Sequence, residues 1–216
     1  MPQEIFEAIH ANDRDKVAQL VVADATVAHA RNEAGVSALM QARYEFRMEI
    51  VELLRKAAGE LDIFEAATLG DVPRLRALLA NDAALATAFS NDGFTPLHLA
   101  AFFAQPAAVV ELLRHAPDVN AVSRNAMKVA VINAAAASRN TEVVELVLQA
   151  GANPDAQQEA GYTALHSAAM NNNSDMVRAL LAAGANPSIR TDTGQTAAEM
   201  AVQKGNEEAA ALLAGM

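Results

Sequence analysis

The chain predicts an all-α fold, a helical solenoid of about seven stacked helix pairs with short hairpin loops projecting from it. Three observations predict it. Turn residues recur at a near-constant interval: Gly194 lies 33 residues after Gly161, Ala126 lies 35 before Gly161, and Gly93 lies 33 before Ala126. Within each interval stand two short apolar-faced runs, each too short to hold a helix in water unaided, so the pairs must lean on one another. A repeat of this length, with each copy leaning on the next, is the mark of a stacked array of helical units.

The units run approximately 4–34, 35–61, 62–92, 93–125, 126–160, 161–193 and 194–216, as one domain. The first, EIFEAIHANDRDKVAQLVV, carries Ile5, Phe6 and Ile9 on one helix and Val17, Leu20 and Val21 on the next, with Asn12 and Asp13 turning the chain. The second sets Leu39 and Met40 against Ile50, Val51, Leu53 and Leu54. The third, from Asp62, repeats the wording of the first at an offset of 58, the offset that also relates Gly35 to Gly93, so the chain reads as a doubled two-unit block. Pro73 stands at a helix start, where its missing N–H costs nothing, and Leu75, Leu78 and Leu79 form the apolar face. In the fourth, Pro96 suits a first helical position, Pro106 separates the two helices and Pro117 ends the second. The fifth lacks the turn glycine and carries two extra residues, placed by this reading around Ala137-Ser138. Such a length change reads as a neutral insertion at a turn or as a bulge that shapes partner contact. The sixth, GYTALHSAAMNNNSDMVRALLAAGANP, pairs Leu165, Ala168 and Ala169 with Met176, Val177, Leu180 and Leu181, and Thr163 caps its first helix. The seventh is polar, as a terminal unit without an outer neighbour should be.

The wording of the copies adds a resemblance. GFTPLHLAA from Gly93, GYTALHSAA from Gly161 and AGANP before Pro187 are similar to the ankyrin repeat signature, closest over 92–101 and 162–187 and looser over nearly the whole chain. The resemblance implies an ankyrin-like solenoid, structural hydrogen bonding by His98 and His166, and no cofactor. It also implies protein binding on a concave face. The contacts would come from residues flanking each turn glycine and from the two positions after each Leu-Ala-Ala segment. Carried over, those positions include Tyr44 near the second unit's first helix and Phe94, Phe102 and Phe103 in the fourth unit. They also include Met127 in the fifth, Glu159, Tyr162, Met170 and Asn171 around the sixth, and Asp192 before the seventh. Only seven Phe and two Tyr occur in the chain, so this clustering selects a surface. Phe102 and Phe103 cannot easily both face the groove, and packing between units is the alternative for each.

Composition narrows the function. Cysteine is absent, which excludes disulfide and thiolate chemistry. The opening MPQEIFEAIHANDRD holds acids and no basic leader, so no secretory signal is expected and a cytoplasmic setting is. No apolar stretch is long enough to span a membrane. Net charge is −10, so nucleic acid is an unexpected partner, while a protein with a basic patch is admitted though not required. The serines lie outside any G-x-S-x-G elbow, and no HExxH, EF-hand or phosphate-binding glycine loop occurs, so no catalytic, cofactor or metal residues are assigned. Asp71, Glu142 and Asp175 recur at inter-helix turns, where carboxylates accept bonds from free helix amides. The expected function is a non-catalytic interaction module or adaptor, monomeric alone. The alternatives are an enzyme or enzyme accessory subunit with a groove site, and a self-associating architectural spacer.

Overall fold

A computed structural model describes residues 2–215. The described residues form fourteen α-helices in seven antiparallel pairs, with no named strand. The pairs are α1 (Pro2–His10) with α2 (Arg14–Ala23), α3 (Ala38–Tyr44) with α4 (Met48–Ala58), and α5 (Ile63–Leu69) with α6 (Val72–Asn81). They continue as α7 (Pro96–Phe102) with α8 (Pro106–Leu113), α9 (Val131–Ala137) with α10 (Thr141–Gln149), α11 (Ala164–Met170) with α12 (Ser174–Ala182), and α13 (Ala197–Lys204) with α14 (Glu207–Ala214). The odd-numbered helices stack on one another in chain order, and α6, α8, α10, α12 and α14 make a second row behind them. One continuous core runs along the stack, and the predicted leucines lie in it: Leu97 is fully buried and Leu165 only 2% exposed.

Local chemistry sets the helix ends. Pro96 and Pro106 open α7 and α8. Asp13, Asp71, Asn140 and Asn173 cap the second helices by accepting an amide three residues on. The sequence expectation therefore holds for Asp71 but not for Glu142 and Asp175. Those two lie inside the first helical turn, one residue or more past the extended position from which a side chain can fold back onto free amides.

Five hairpin fingers project from the stack, each closed by one backbone bond: Asn32 to Val36, Ser90 to Phe94, Ser123 to Val129, Gln158 to Tyr162, and Thr191 to Gln195. They are isolated bridges and loops, not a sheet. The link between α4 and α5 is short and carries no such closure. A 3₁₀ turn follows α2 (Ala25–His29) and another follows α6 (Ala83–Thr87), so the doubled block read from the sequence is also doubled in structure.

The finger of the fifth unit, third of the five, corrects the sequence reading. Its closing bond and its bridge, Val122 with Ala130, both enclose two residues more than their counterparts in the seventh unit, Arg190 with Thr196. The extra pair thus lies at this fingertip, not around Ala137-Ser138. Lys128, with φ +48°, holds the left-handed position that Gly93 and Gly161 hold elsewhere, and Ala126 does not. Aligning on glycine alone missed this, because a lysine had taken the strained position.

At Gly161 a glycine is required twice over. Its φ is +75°, and a Cβ there would stand 3.0 Å from the Asp192 amide and 3.1 Å from the Thr191 Cα, both backbone. At Gly151 φ is also positive, yet a Cβ would meet nothing within 4 Å. Gly161→Ala is therefore expected to cost about 1–3 kcal/mol, and more than Gly151→Ala, in denaturant melts. Equal costs would show that the close approach of the two fingers contributes nothing.

Candidate partner-binding groove

The first helices end in a row of residues beside the fingers: Tyr44 on α3, Leu69 on α5, Phe102 on α7, Ala137 on α9 and Met170 on α11. At the fifth unit this row drops to alanine, and Ala134 one turn earlier is also small. The result is a trough of about 550 Å³ over α9, lined mainly by apolar surface with His98, Asn133, Gln158 and Glu159 among its residues. Phe94 and Phe102 stand on the side of the fourth unit, Tyr162 on that of the sixth, and Met127 reaches in from the lengthened fingertip. Phe102 and Met127 leave 37% and 47% of their surfaces open to water.

The polar groups around the trough are mostly occupied. Tyr44 donates its hydroxyl to Asp92 Oδ2 at 2.7 Å, and its ring centroid lies 5.5 Å from that of Phe103. Burial, then the neighbouring Asp92 charge, pushes the Tyr44 phenol far up. His98 caps its own helix: the Thr95 amide donates to Nδ1 at 3.3 Å, with the Thr95 hydroxyl 2.7 Å from the same nitrogen. Its Nε2 lies 3.0 Å from the Val129 carbonyl, which only a protonated nitrogen can satisfy. Both ring atoms are thus committed, with the proton on Nε2, and burial holds the ring neutral by pulling its pKa down to about 4. His166 repeats the arrangement with Thr163 and the Gln195 carbonyl, 3.2 Å away. In the fifth unit Asn133 does the same work, accepting from the Ala130 amide at 3.3 Å and donating to the Ala156 carbonyl at 3.1 Å. The structural role expected for the two histidines is what the geometry shows.

Residues 131–216 match the family described as ankyrin repeats in three copies, and residues 92–124 match a further single ankyrin repeat. The chain belongs to the ankyrin repeat family. A relative from Oryza sativa subsp. japonica, named as probable E3 ubiquitin-protein ligase XBOS31, is 44% identical over 95 residues. That stretch is 44% of this ankyrin-repeat chain and 21% of the relative, so the similarity spans about a fifth of the relative's length.

Six of the ten residues carried over from the ankyrin resemblance meet at the trough: Tyr44, Phe94, Phe102, Met127, Glu159 and Tyr162. Phe103 does not. It is 6% exposed, packed edge-on to Phe102 at 5.0 Å and lying beneath the Arg43 guanidinium at 4.7 Å, so it belongs to the core. Asn171 faces a separate shallow depression with Arg139 and Glu208, where the helices of the sixth unit turn. Met170 is half-buried at the end of α11, and its carbonyl accepts from Asn206 at 2.9 Å. Asp192 is exposed on the last finger, its amide donating to the Ala160 carbonyl at 3.0 Å. Sequence reasoning missed Val129 and Ala137, both shifted by the misplaced insertion, and Asn133, which stands in the fifth unit where His98 and His166 stand in theirs. The signal lay in the helix-start positions: Ala130 stands 33 residues before Thr163, just as Lys128 stands before Gly161.

Among the described residues no helix is long and apolar enough to cross a membrane, and no three His, Asp or Glu gather as metal ligands would.

Proposed function

We propose that this ankyrin-repeat chain is a non-catalytic, cytoplasmic interaction module that holds a partner protein on its finger side, at the trough over α9. The trough itself supports the reading. It is a mainly apolar hollow whose walls gather aromatic rings and a methionine partly open to water in one concave place, whereas the exposed Phe46 and Met48 lie outside it. Exposed aromatic anchors in a concave site are what a protein interface draws its affinity from. Of the groups there that could do acid–base work, His98 has both nitrogens hydrogen-bonded and Tyr44 is tied to Asp92, which leaves the Glu159 carboxylate. The ligase function in the rice relative's name belongs to a protein of which this chain matches a fifth, and is not proposed here.

Affinity capture tests the reading. Partners retained by the purified chain should be lost, by about tenfold or more, from a variant carrying Phe102→Ala and Tyr162→Ala whose circular dichroism is unchanged. Phe103→Ala is unsuitable for this purpose, because it truncates the core. Undiminished capture by the double variant would place the interface elsewhere.

A further inference from the structure

We infer that the lengthened finger of the fifth unit makes the trough selective for an extended partner segment that presents a bulky apolar side chain with a lysine or arginine close beside it. The apolar group lodges against Phe102, Tyr162 and Met127, and the cation meets Glu159. This rests on the trough being the partner site.

Four observations carry it. First, the two extra residues are not slack. Asn125 donates from Nδ2 to the Asp92 carbonyl at 2.9 Å, and its Oδ1 accepts from the Met127 amide at 3.1 Å and the Ser123 hydroxyl at 2.9 Å. On the other side, the Met127 carbonyl accepts from the Glu159 amide at 2.9 Å. The fingertip is therefore pinned to both neighbouring fingers. Second, that pinning sets Met127, 47% exposed, at the rim of the trough. Third, the same unit that adds Met127 above the trough removes bulk below it, with Ala137 where the neighbouring units have Phe102 and Met170. A longer tip and a smaller floor in one unit together make this hollow. Its volume of about 550 Å³ falls in the range, about 300–1,000 Å³, of sites that enclose a ligand, and exceeds what one side chain fills.

Fourth, the charge has one sign where the trough is lined. Glu159 is the charged residue among those lining it, and its carboxylate enters no ion pair in the described residues. Asp192, on the next finger, is likewise unpaired there, and the chain as a whole carries −10. The basic side chains on the finger of the fifth unit form no ion pair with Glu159: Arg124 is stacked 3.8 Å over the Phe89 ring, and Lys128 makes no ion pair. An open apolar trough with a free carboxylate on its rim complements an apolar–basic segment and disfavours an apolar–acidic one.

The test uses two capped pentapeptides, Ala-Phe-Ala-Arg-Ala and Ala-Phe-Ala-Glu-Ala, titrated into the full chain carrying ¹³C-methyl methionine. The arginine peptide is expected to move the Met127 methyl signal and to bind about threefold or more tightly than the glutamate peptide. Glu159→Gln should abolish that preference. Removing Ala126 and Met127, which returns the finger to the length of its neighbours, should abolish binding of both peptides as read by calorimetry; Met127→Ala, which keeps the finger's length, should weaken the binding of both peptides in the same measurement. Equal binding of the two peptides, no binding at concentrations of about 10 mM, or binding that survives the two-residue deletion would overturn the inference. Captured partners lost on Phe102→Ala with Tyr162→Ala but retained on the deletion would leave the trough as the partner site and remove only the finger's role in it.

Discussion

Leu165→Ala is expected to lower the free energy of unfolding by about 2–4 kcal/mol. Leu165 is 2% exposed on α11, among the largest side chains enclosed in the core. Its helix stacks on α9 on one side and α13 on the other, so the cavity opens at both of its contacts along the row. Seven-residue helices such as α9 and α11 have no stability of their own to fall back on. In a stacked array each unit is held by its own fold and by two nearest-neighbour contacts. The loss should therefore show as a lower midpoint and, because the sixth unit lies near one end, as earlier melting of the last two units. Urea melts followed by circular dichroism check it, and a change below about 0.5 kcal/mol would mean that Leu165 does not pack as described.

The second large effect is on acid stability. The folded chain holds His98 neutral with a pKa of about 4, whereas a free imidazole titrates near about 6.5. Between those values the unfolded chain binds the proton that the folded chain refuses. The stabilisation from the neutral ring is therefore whole above about pH 6.5 and is lost progressively as pH falls toward 4. From pH 7.5 to pH 5 the loss attributable to His98 should be about 2 kcal/mol. His166 is shifted the same way by burial and adds to the slope. His98→Asn is the appropriate comparison, since Asn133 shows that an amide can bridge the same helix start to the next finger without titrating. Its stability should fall less than that of the parent chain over this interval. Parallel losses in the two proteins would mean that His98 takes up its proton freely in the folded state.

Most of the fold was legible because the forces that make it are written locally and then repeated. The proline and Asp or Asn positions that start α2, α6, α7 and α8 are set by backbone chemistry within a few residues. The apolar spacing of Leu97 or Leu165 carries the buried face, and the recurrence of the whole pattern carries the stacking. The fifth unit was misread because its turn residue is Lys128, which adopts a left-handed backbone without the glycine that advertises one. That shift of two residues kept Ala137, which lines the trough, out of the expected contact positions. Phe102 and Phe103 could not be told apart for a different reason. Adjacent residues at a helix end diverge, and which of them turns inward depends on Tyr44 and Arg43, contributed from two units away. The trough was the least legible feature, since a hollow arises from what Ala134 and Ala137 leave unfilled, and periodicity records only what is filled.

The paired 3₁₀ turns after α2 and α6 divide the molecule into two construction plans. The first four helix pairs follow a two-step module, in which one long connection with a finger alternates with one abrupt link; the last three follow a one-step module. Over most of the length, each pair must copy the geometry of its predecessor or lose contact with it. At the junction of the plans, between α8 and α9, the alternation of long and abrupt links ends. The trough lies at this seam, where a fingertip could grow and a helix face could shrink without putting the rest of the array out of step.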